Sequence, residues 1–226
     1  MSSVSDPLQQ NLPPVAVARR VSVLRMLLSD VGACIALALV VLAVLGAAFA
    51  PWLSPTDPYG NDLANTLKPP GEFGLLGTDG QGRDMITRLL FGLRTTLLMG
   101  LASVVIGGLI GGVIGFAAAY YPRLSGLLMR LMDVLLSFPA ILFGLAIAAI
   151  FGPGLPAVII ALAIATIPLM ARVVRGSALV VLQQGYIEAA RSLGLGDLHI
   201  ILRYVLPNCL SAIFVFVTLR FGQVIL

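Results

Sequence analysis

A single histidine, His199, and a single lysine, Lys68, deprive this chain of the residues on which most active-site chemistry depends. One histidine excludes an H-E-x-x-H zinc site and any multi-histidine metal centre built from this chain alone. Lys68 is preceded by Leu67 and followed by two prolines, so there is no G-x-x-x-x-G-K-[ST] phosphate loop and no means here of hydrolysing ATP. A G-x-S-x-G nucleophile elbow is also missing. Cys34 and Cys209 stand far apart in separate apolar runs, which reads as two small buried hydrophobes and not as a redox or metal pair. Charge itself is scarce, at 11% of residues against 59% hydrophobic. The absences argue against an enzyme.

What the chain has instead is long uncharged runs and a mean hydropathy of +1.03, the mark of a membrane-embedded protein. No charge occurs between Asp30 and Asp57, between Arg94 and Arg123, or between Asp133 and Arg172. The last of these is long enough for two passes, with FGPGLP (151–156) as its turn. A final run, 209–226, carries only Arg220. The runs are continuous and lack the alternation of a transmembrane barrel, so the expected fold is all-α, a polytopic helix bundle. Five spans are expected, at about 31–53, 96–120, 132–151, 155–171 and 208–226, after an N-terminal segment 1–30. The loop 172–207 joins the last two. Arg19, Arg20 and Arg25, then Arg123 and Arg130, then Arg172, Arg175, Arg191 and Arg203 fall in alternate loops. The positive-inside rule makes those loops and the N-terminus cytoplasmic. The net charge of +4 therefore reports topology, and nucleic acid is not an expected partner.

Within the spans, GGLIGGVIG (107–115) sets Gly107, Gly111 and Gly115 on one helical stripe, with Gly108 and Gly112 on a second. Small residues four apart allow close helix packing in lipid. On the opposite side of the membrane, Asp79, Arg83, Asp84 and Arg88 read as the alternating-sign start of a helix, a candidate contact for an external partner or gate. Arg130 and Asp133 are i, i+3 neighbours and are expected to pair. Pro139 marks a kink. Arg220 lies about 18 Å along a helix from Asn208. It either lines a watery path or snorkels to the outer interface.

The exception to this oily composition is GYIEAARSLGLGDLHIILRYVLPN, residues 185–208. Tyr186, Ala189, Ala190 and Leu193 follow i, i+3, i+4, i+7 spacing and form one small apolar face, with Glu188, Arg191 and Ser192 elsewhere. Gly194 fits a left-handed helix terminus, and Asp197 fits the N-cap of a second helix in which Leu198, Ile201, Leu202 and Val205 repeat the spacing. Pro207 follows in the first turn of the last span. Such a pair of helices can lie on the lipid surface or dock into a protein groove. Paired alanines favour docking, since interfacial helices prefer Lys or Arg opposite Trp, Phe or Leu.

These residues resemble the EAA signature of permease subunits of bacterial ABC importers: Glu188-Ala189-Ala190, then Gly194, then Leu206-Pro207. The chain is most similar to the C-type permease of the dipeptide, oligopeptide and nickel transporter family. LGTDGQGRDMITRLLFGLRTTL (76–97), RLMDVLLSFPAILFGLAI (130–147) and ARVVRGSALVVLQQGYIEAARSLG (171–194) match its segments in order. The resemblance implies a coupling helix seated in an ATP-binding subunit, with Glu188, Ala189, Ala190 and Gly194 as contact and turn, and Leu206 and Pro207 tying the loop to the fifth span. It also implies a second permease subunit, two ATP-binding subunits that hold the ATP and magnesium, a periplasmic or lipid-anchored binding protein, and an inner-membrane location among lipid. No cofactor is implied for this chain, and the substrate would be a peptide, a nickel chelate or a related solute. Family members have a sixth span, so the resemblance further implies a chain shortened at its C-terminus. The alternatives are a passive channel, another polytopic membrane protein, or a permease too short to work.

Overall fold

A computed structural model describes residues 28–226 except Pro55. Arg19, Arg20 and Arg25 lie outside the described residues, and with them most of the 1–30 segment. Every regular element among the described residues is helical, and the one extended pairing is an isolated bridge between Thr78 and Asp84. The chain falls into two units, one ending at Leu45 and one running from Gly46 to Leu226.

The first unit holds most of α1 (Val31–Ala48), which has no charge along its length. Asp30 begins it by accepting the Gly32 and Ala33 N–H groups at 2.8 and 3.3 Å, which satisfies donors that a helix start leaves open. Its eighteen residues rise about 27 Å, close to the ~30 Å of a hydrocarbon core.

The second unit contains α2 (Ala50–Leu53), a 3₁₀ turn at Leu63–Asn65, α3 (Met85–Tyr120), α4 (Pro122–Ser137), α5 (Ala140–Phe151), α6 (Leu155–Leu182), α7 (Gly185–Ser192), α8 (Asp197–Ile200) and α9 (Leu206–Ile225). At its centre α3 packs on α6 through the first glycine stripe. A Cβ at Gly107 would come within 2.5 Å of the Ala163 carbonyl oxygen, and one at Gly115 within 2.6 Å of that of Ala171. At Gly111 it would strike the Ile167 carbonyl. Backbone meets backbone along this stripe, and any side chain would hold the helices apart. The second stripe does something else. Nothing lies within 4 Å of a Cβ at Gly112, and Gly108 meets only the Met170 methyl at 4.0 Å. These two glycines instead line an apolar groove between α3 and α9 of about 420 Å³.

α1, α3, α6 and the continuous helical run Asp197–Ile225 are each long and apolar enough to cross a membrane. The expected third span, 132–151, is not a straight helix. α4 and α5 meet at 86° across Phe138-Pro139, and together they make a fifth span only as a broken one. Proline has no N–H to continue the ladder and drives the residue before it out of the helical region, and Phe138 is extended at φ −88°, ψ 132°. α5 alone rises about 18 Å, short of a bilayer. α4 crosses α6 and is tied to it by Asp133 with Arg172 at 2.5 Å and by Arg175 Nε donating to Ser125 Oγ at 3.0 Å. Asp133 thus pairs with Arg172 on a neighbouring helix and not, as its spacing suggested, with Arg130.

Two other boundaries differ from expectation. α3 starts at Met85, eleven residues before the expected span, and α6 runs on to Leu182, past the expected end at residue 171. Charges mark where a helix leaves lipid, and helices need not stop there. Between α8 and α9 the helix is continuous through a π turn, Ile201–Val205, in which the Leu206 N–H bonds the Ile201 carbonyl. The wider turn lies immediately before Pro207, whose ring an ordinary α turn would press against the carbonyl four residues back. Asn208 Nδ2 then donates to the Tyr204 carbonyl at 2.6 Å.

Candidate coupling site

The stretch 183–207 holds the eight residues of α7, then α8, the π turn and the first two residues of α9. α7 is two-sided. Ile187 (0% exposed) and Ala190 (4%) enter a cluster with Ala119 of α3, Ala178 and Val181 of α6, and Ile200, Val205 and Cys209 of the final helical run. Tyr186, Glu188, Ala189 and Leu193 face outward, Leu193 at 79% exposure. The expected apolar face Tyr186, Ala189, Ala190, Leu193 is therefore split, because the bundle takes Ala190 together with Ile187. Full burial of an isoleucine stabilises by about 1.5–3 kcal/mol. Ile187 and Ile200 together therefore outweigh any single exposed hydrogen bond at the site.

The chain leaves α7 as the glycine predicts. Gly194 has φ +74°, its N–H bonds the Arg191 carbonyl at 2.9 Å, and the Leu195 N–H bonds the Ala190 carbonyl at 3.2 Å. This is a Schellman turn, completed by Leu195 packing on the cluster that holds Ala190. Asp197 is not the N-cap that its position suggested. Gly196 occupies the cap, and the Asp197 carboxylate accepts the Tyr120 hydroxyl at 2.8 Å and the Tyr121 hydroxyl at 3.4 Å. The Arg191 guanidinium lies over the Tyr120 ring at 5.3 Å. Sequence reasoning missed this clamp. Its available signal was the Tyr-Tyr pair closing an apolar run, where aromatic residues gather at the membrane boundary.

Ala190 and Gly194 thus meet in one structure, and Glu188 and Ala189 sit on its outer side. Leu206 and Pro207 lie further along, in the first turn of α9, with Leu206 lining the groove beside α3. The remaining candidates are elsewhere. Of Asp79, Arg83 and Asp84, only Asp84 stands at the helix start that the sequence suggested. Asp79 and Arg83 lie in the loop before α3, and Asp84 caps that helix, accepting the Thr87 N–H at 2.8 Å and its hydroxyl at 2.6 Å. The Thr87 hydroxyl also meets those of Ser54 and Thr56. Asp79 pairs with Arg88. Its pKa is held down at about 2, chiefly by the Arg83 N–H that it accepts; desolvation is the next largest effect and opposes this, while the Gln81 N–H and the Arg88 guanidinium add to the lowering. Arg83 forks onto Asn61 Oδ1 at 2.8 and 3.0 Å. All three side chains are engaged in holding this loop in shape.

Arg220 is the last candidate, and its guanidinium turns to α6. Nε donates to Thr166 Oγ1 on α6 at 3.2 Å, and Nη1 donates to Gln223 Oε1 at 3.3 Å. Thr166 is fully buried, eleven residues or about 16 Å from the start of α6. At the centre of a bilayer an arginine costs about 2.5–3.5 kcal/mol on insertion scales.

With this geometry in hand, comparison with known proteins is direct. Residues 107–226 match the family of binding-protein-dependent transport system inner membrane components, and residues 21–70 match the N-terminal transmembrane domain of oligopeptide transport permease C. A Brucella abortus (biovar 1, strain 9-941) protein, provisionally named a peptide transport system permease, is 42% identical over 226 residues, covering 100% of this chain and 76% of the relative. The chain belongs to the binding-protein-dependent ABC importer permeases. Two further relatives of this permease are also 42% identical. The di/tripeptide transport system permease protein of Pseudomonas aeruginosa (strain UCBPP-PA14) matches over 202 residues, 86% of this chain and 67% of its own. The glutathione transport system permease protein of Escherichia coli O6:K15:H31 (strain 536 / UPEC) matches over 189, or 83% and 62%. The permease is thus a multi-pass transport subunit and not an enzyme, in a system that includes a substrate-binding protein and ATPase partners. The matched segment opens at Gly107, so it takes in the tight α3–α6 pair, α7 and the helix that follows.

Proposed function

We propose that α7 is the coupling helix of this permease, that its outward side, Tyr186, Glu188, Ala189 and Leu193, seats an ATP-binding subunit, and that the cargo is a peptide or related small solute. The observation that carries this reading is the division of α7 into a buried side and an open one. Its inner side is locked to α3, α6 and the helix after it, while its outer side is exposed among the described residues. A rigid element fixed to three helices transmits a push from outside as a movement of those helices, which a hinged loop could not. Ala190, Gly194 and the Asp197 clamp fix the lever, and Leu206 and Pro207 lead it into α9. Four arginines, Arg172, Arg175, Arg191 and Arg203, crowd this end of the bundle, which supports a cytoplasmic location for it and for the N-terminus.

The assembly in this reading contains a second permease subunit, two ATP-binding subunits that carry the ATP and magnesium, and a periplasmic or lipid-anchored binding protein. The named cargoes of the relatives, peptides, di/tripeptides and glutathione, support a peptide-like substrate for this chain. Co-purification of the solubilised complex tests the seat. Leu193→Glu is expected to lower recovery of the ATP-binding subunits about tenfold or more while the permease itself is recovered intact, as for a central contact residue. Undiminished recovery would place the contact elsewhere.

A further inference from the structure

We infer that Arg220 is the carboxylate-recognition residue of the translocation path, receiving the C-terminal carboxylate of a peptide at mid-membrane. The inference rests on the peptide-importer reading above and adds to it the group on the substrate that the bundle itself recognises. Arg220 lies on the packed face of α9. Cys209, Ile213, Phe216 and Arg220 follow one another at helical spacing, with Cys209 fully buried and Ile213 packed on the core cluster. The guanidinium therefore points to α6, at a depth where water is displaced by lipid and protein. No carboxylate among the described residues lies within ion-pair distance of it, and its two hydrogen-bond partners, Thr166 and Gln223, are neutral. Nη2 and the second proton of Nη1 meet no acceptor among the described residues. The two Nη groups of a guanidinium can take a carboxylate through two parallel bonds.

The α6 backbone supports the same placement. Pro168 stands two residues beyond Thr166, inside the helix, where it cannot donate to the carbonyl four residues back. α6 stays helical through Pro168, so the Ile164 carbonyl lacks its usual donor beside the Thr166 site. Thr166 is itself pinned between α3 and α9, since a Cβ at Gly107 would come within 2.8 Å of Thr166 Cβ. The charge is thus anchored at the junction of three helices, in position to be released or presented when α6 and α9 move with the lever at their other ends.

The test uses the complete transporter, permease pair, ATP-binding subunits and binding protein, in proteoliposomes, with a labelled tripeptide and its C-terminal amide as probes. Wild type is expected to carry the free acid faster than the amide. R220Q is expected to slow the free acid about tenfold to a hundredfold, the range for losing a charge-assisted pair, to leave the amide rate within about twofold, and to retain ATPase activity and all subunits. R220K, which keeps the charge without the fork, should give an intermediate acid-to-amide ratio. Any preference owed to the binding protein is common to wild type and variants, so it cancels in the comparison. An unchanged ratio in R220Q would overturn the assignment while leaving the importer reading intact. Loss of the second permease from purified R220Q would also overturn it, by showing the guanidinium to be an assembly contact. A wild-type complex that moves neither probe would instead bring down the peptide reading, and this inference with it.

Discussion

Gly111→Val is expected to remove most of the folded permease from the membrane, lowering its abundance at least about fivefold by immunoblot of the membrane fraction. The reason lies in what the new side chain would meet. A Cβ at this position is driven into the Ile167 carbonyl oxygen and to 2.9 Å from Met170 Cβ. Neither can rotate away, since one is backbone and the other is bonded directly to it. Relief requires α3 and α6 to separate, and that separation would also loosen the equivalent contacts at Gly107 and Gly115, four residues to either side. Overpacking of a rigid site costs about 1–3 kcal/mol and more where it spreads, against a typical total stability of only about 5–15 kcal/mol. Gly112→Ala provides the contrast. It lies one residue along the same helix with open space before it, and it is expected to leave abundance unchanged or slightly raised, since alanine is the better helix former.

The second large effect separates two adjacent alanines. Ala190→Asp puts a carboxylate into a cluster of Ile187, Ile200, Val205 and Cys209 with no partner for it, and is expected to cost about 3 kcal/mol or more. The thermal midpoint of the purified permease should fall and transport should vanish with it. Ala189→Arg, on the outer side, is expected to shift stability by no more than about 0.5 kcal/mol. It should nevertheless reduce ATP-driven transport about thirtyfold, the consequence of losing roughly 2 kcal/mol at a contact hot spot. Equal thermal losses in the two variants would mean that α7 has no free side and cannot act as the seat of a partner.

The same two alanines show how far the sequence could be read. Spacing predicted a helix over Tyr186–Leu193 and a glycine stop, and both are found, because periodicity and left-handed glycine are local properties. Which side of that helix the bundle covers is not local. Ile187 and Ala190 are as consistent with helical spacing as Ala189 and Leu193, and only the positions of Ala119, Ala178 and Val181 decide between them. The two glycine stripes of α3 are a parallel case. Both were visible at once, yet one grips α6 and the other borders a groove.

Charged residues misled in a consistent direction. Arg172 and Arg175 suggested the end of a span, but α6 carries both onward, because a helix leaving lipid loses no hydrogen bond by continuing. Asp133 had an arginine at i−3 and found a better one on another helix, and Asp197 gave up a cap for two tyrosines 76 and 77 residues away. Long-range partners of this kind leave no trace in spacing. Pro139 announced a kink, but whether it turned the chain by 20° or by 86° depends on what α4 then packs against. The place of Arg220 along α9 followed from counting residues, whereas its direction required knowing that Thr166 stood opposite.

The central claim, that the outer side of α7 seats an ATP-binding subunit, is tested most directly by photo-crosslinking. A photoreactive amino acid is placed at Leu193 or Ala189 of the assembled transporter, with the exposed, span-embedded position Leu109 as reference. Adducts with the ATP-binding subunit are expected from 193 and 189 and none from 109. Adducts from 193 and 189 with lipid alone, in a complex that still hydrolyses ATP, would contradict the claim and make α7 an interfacial helix.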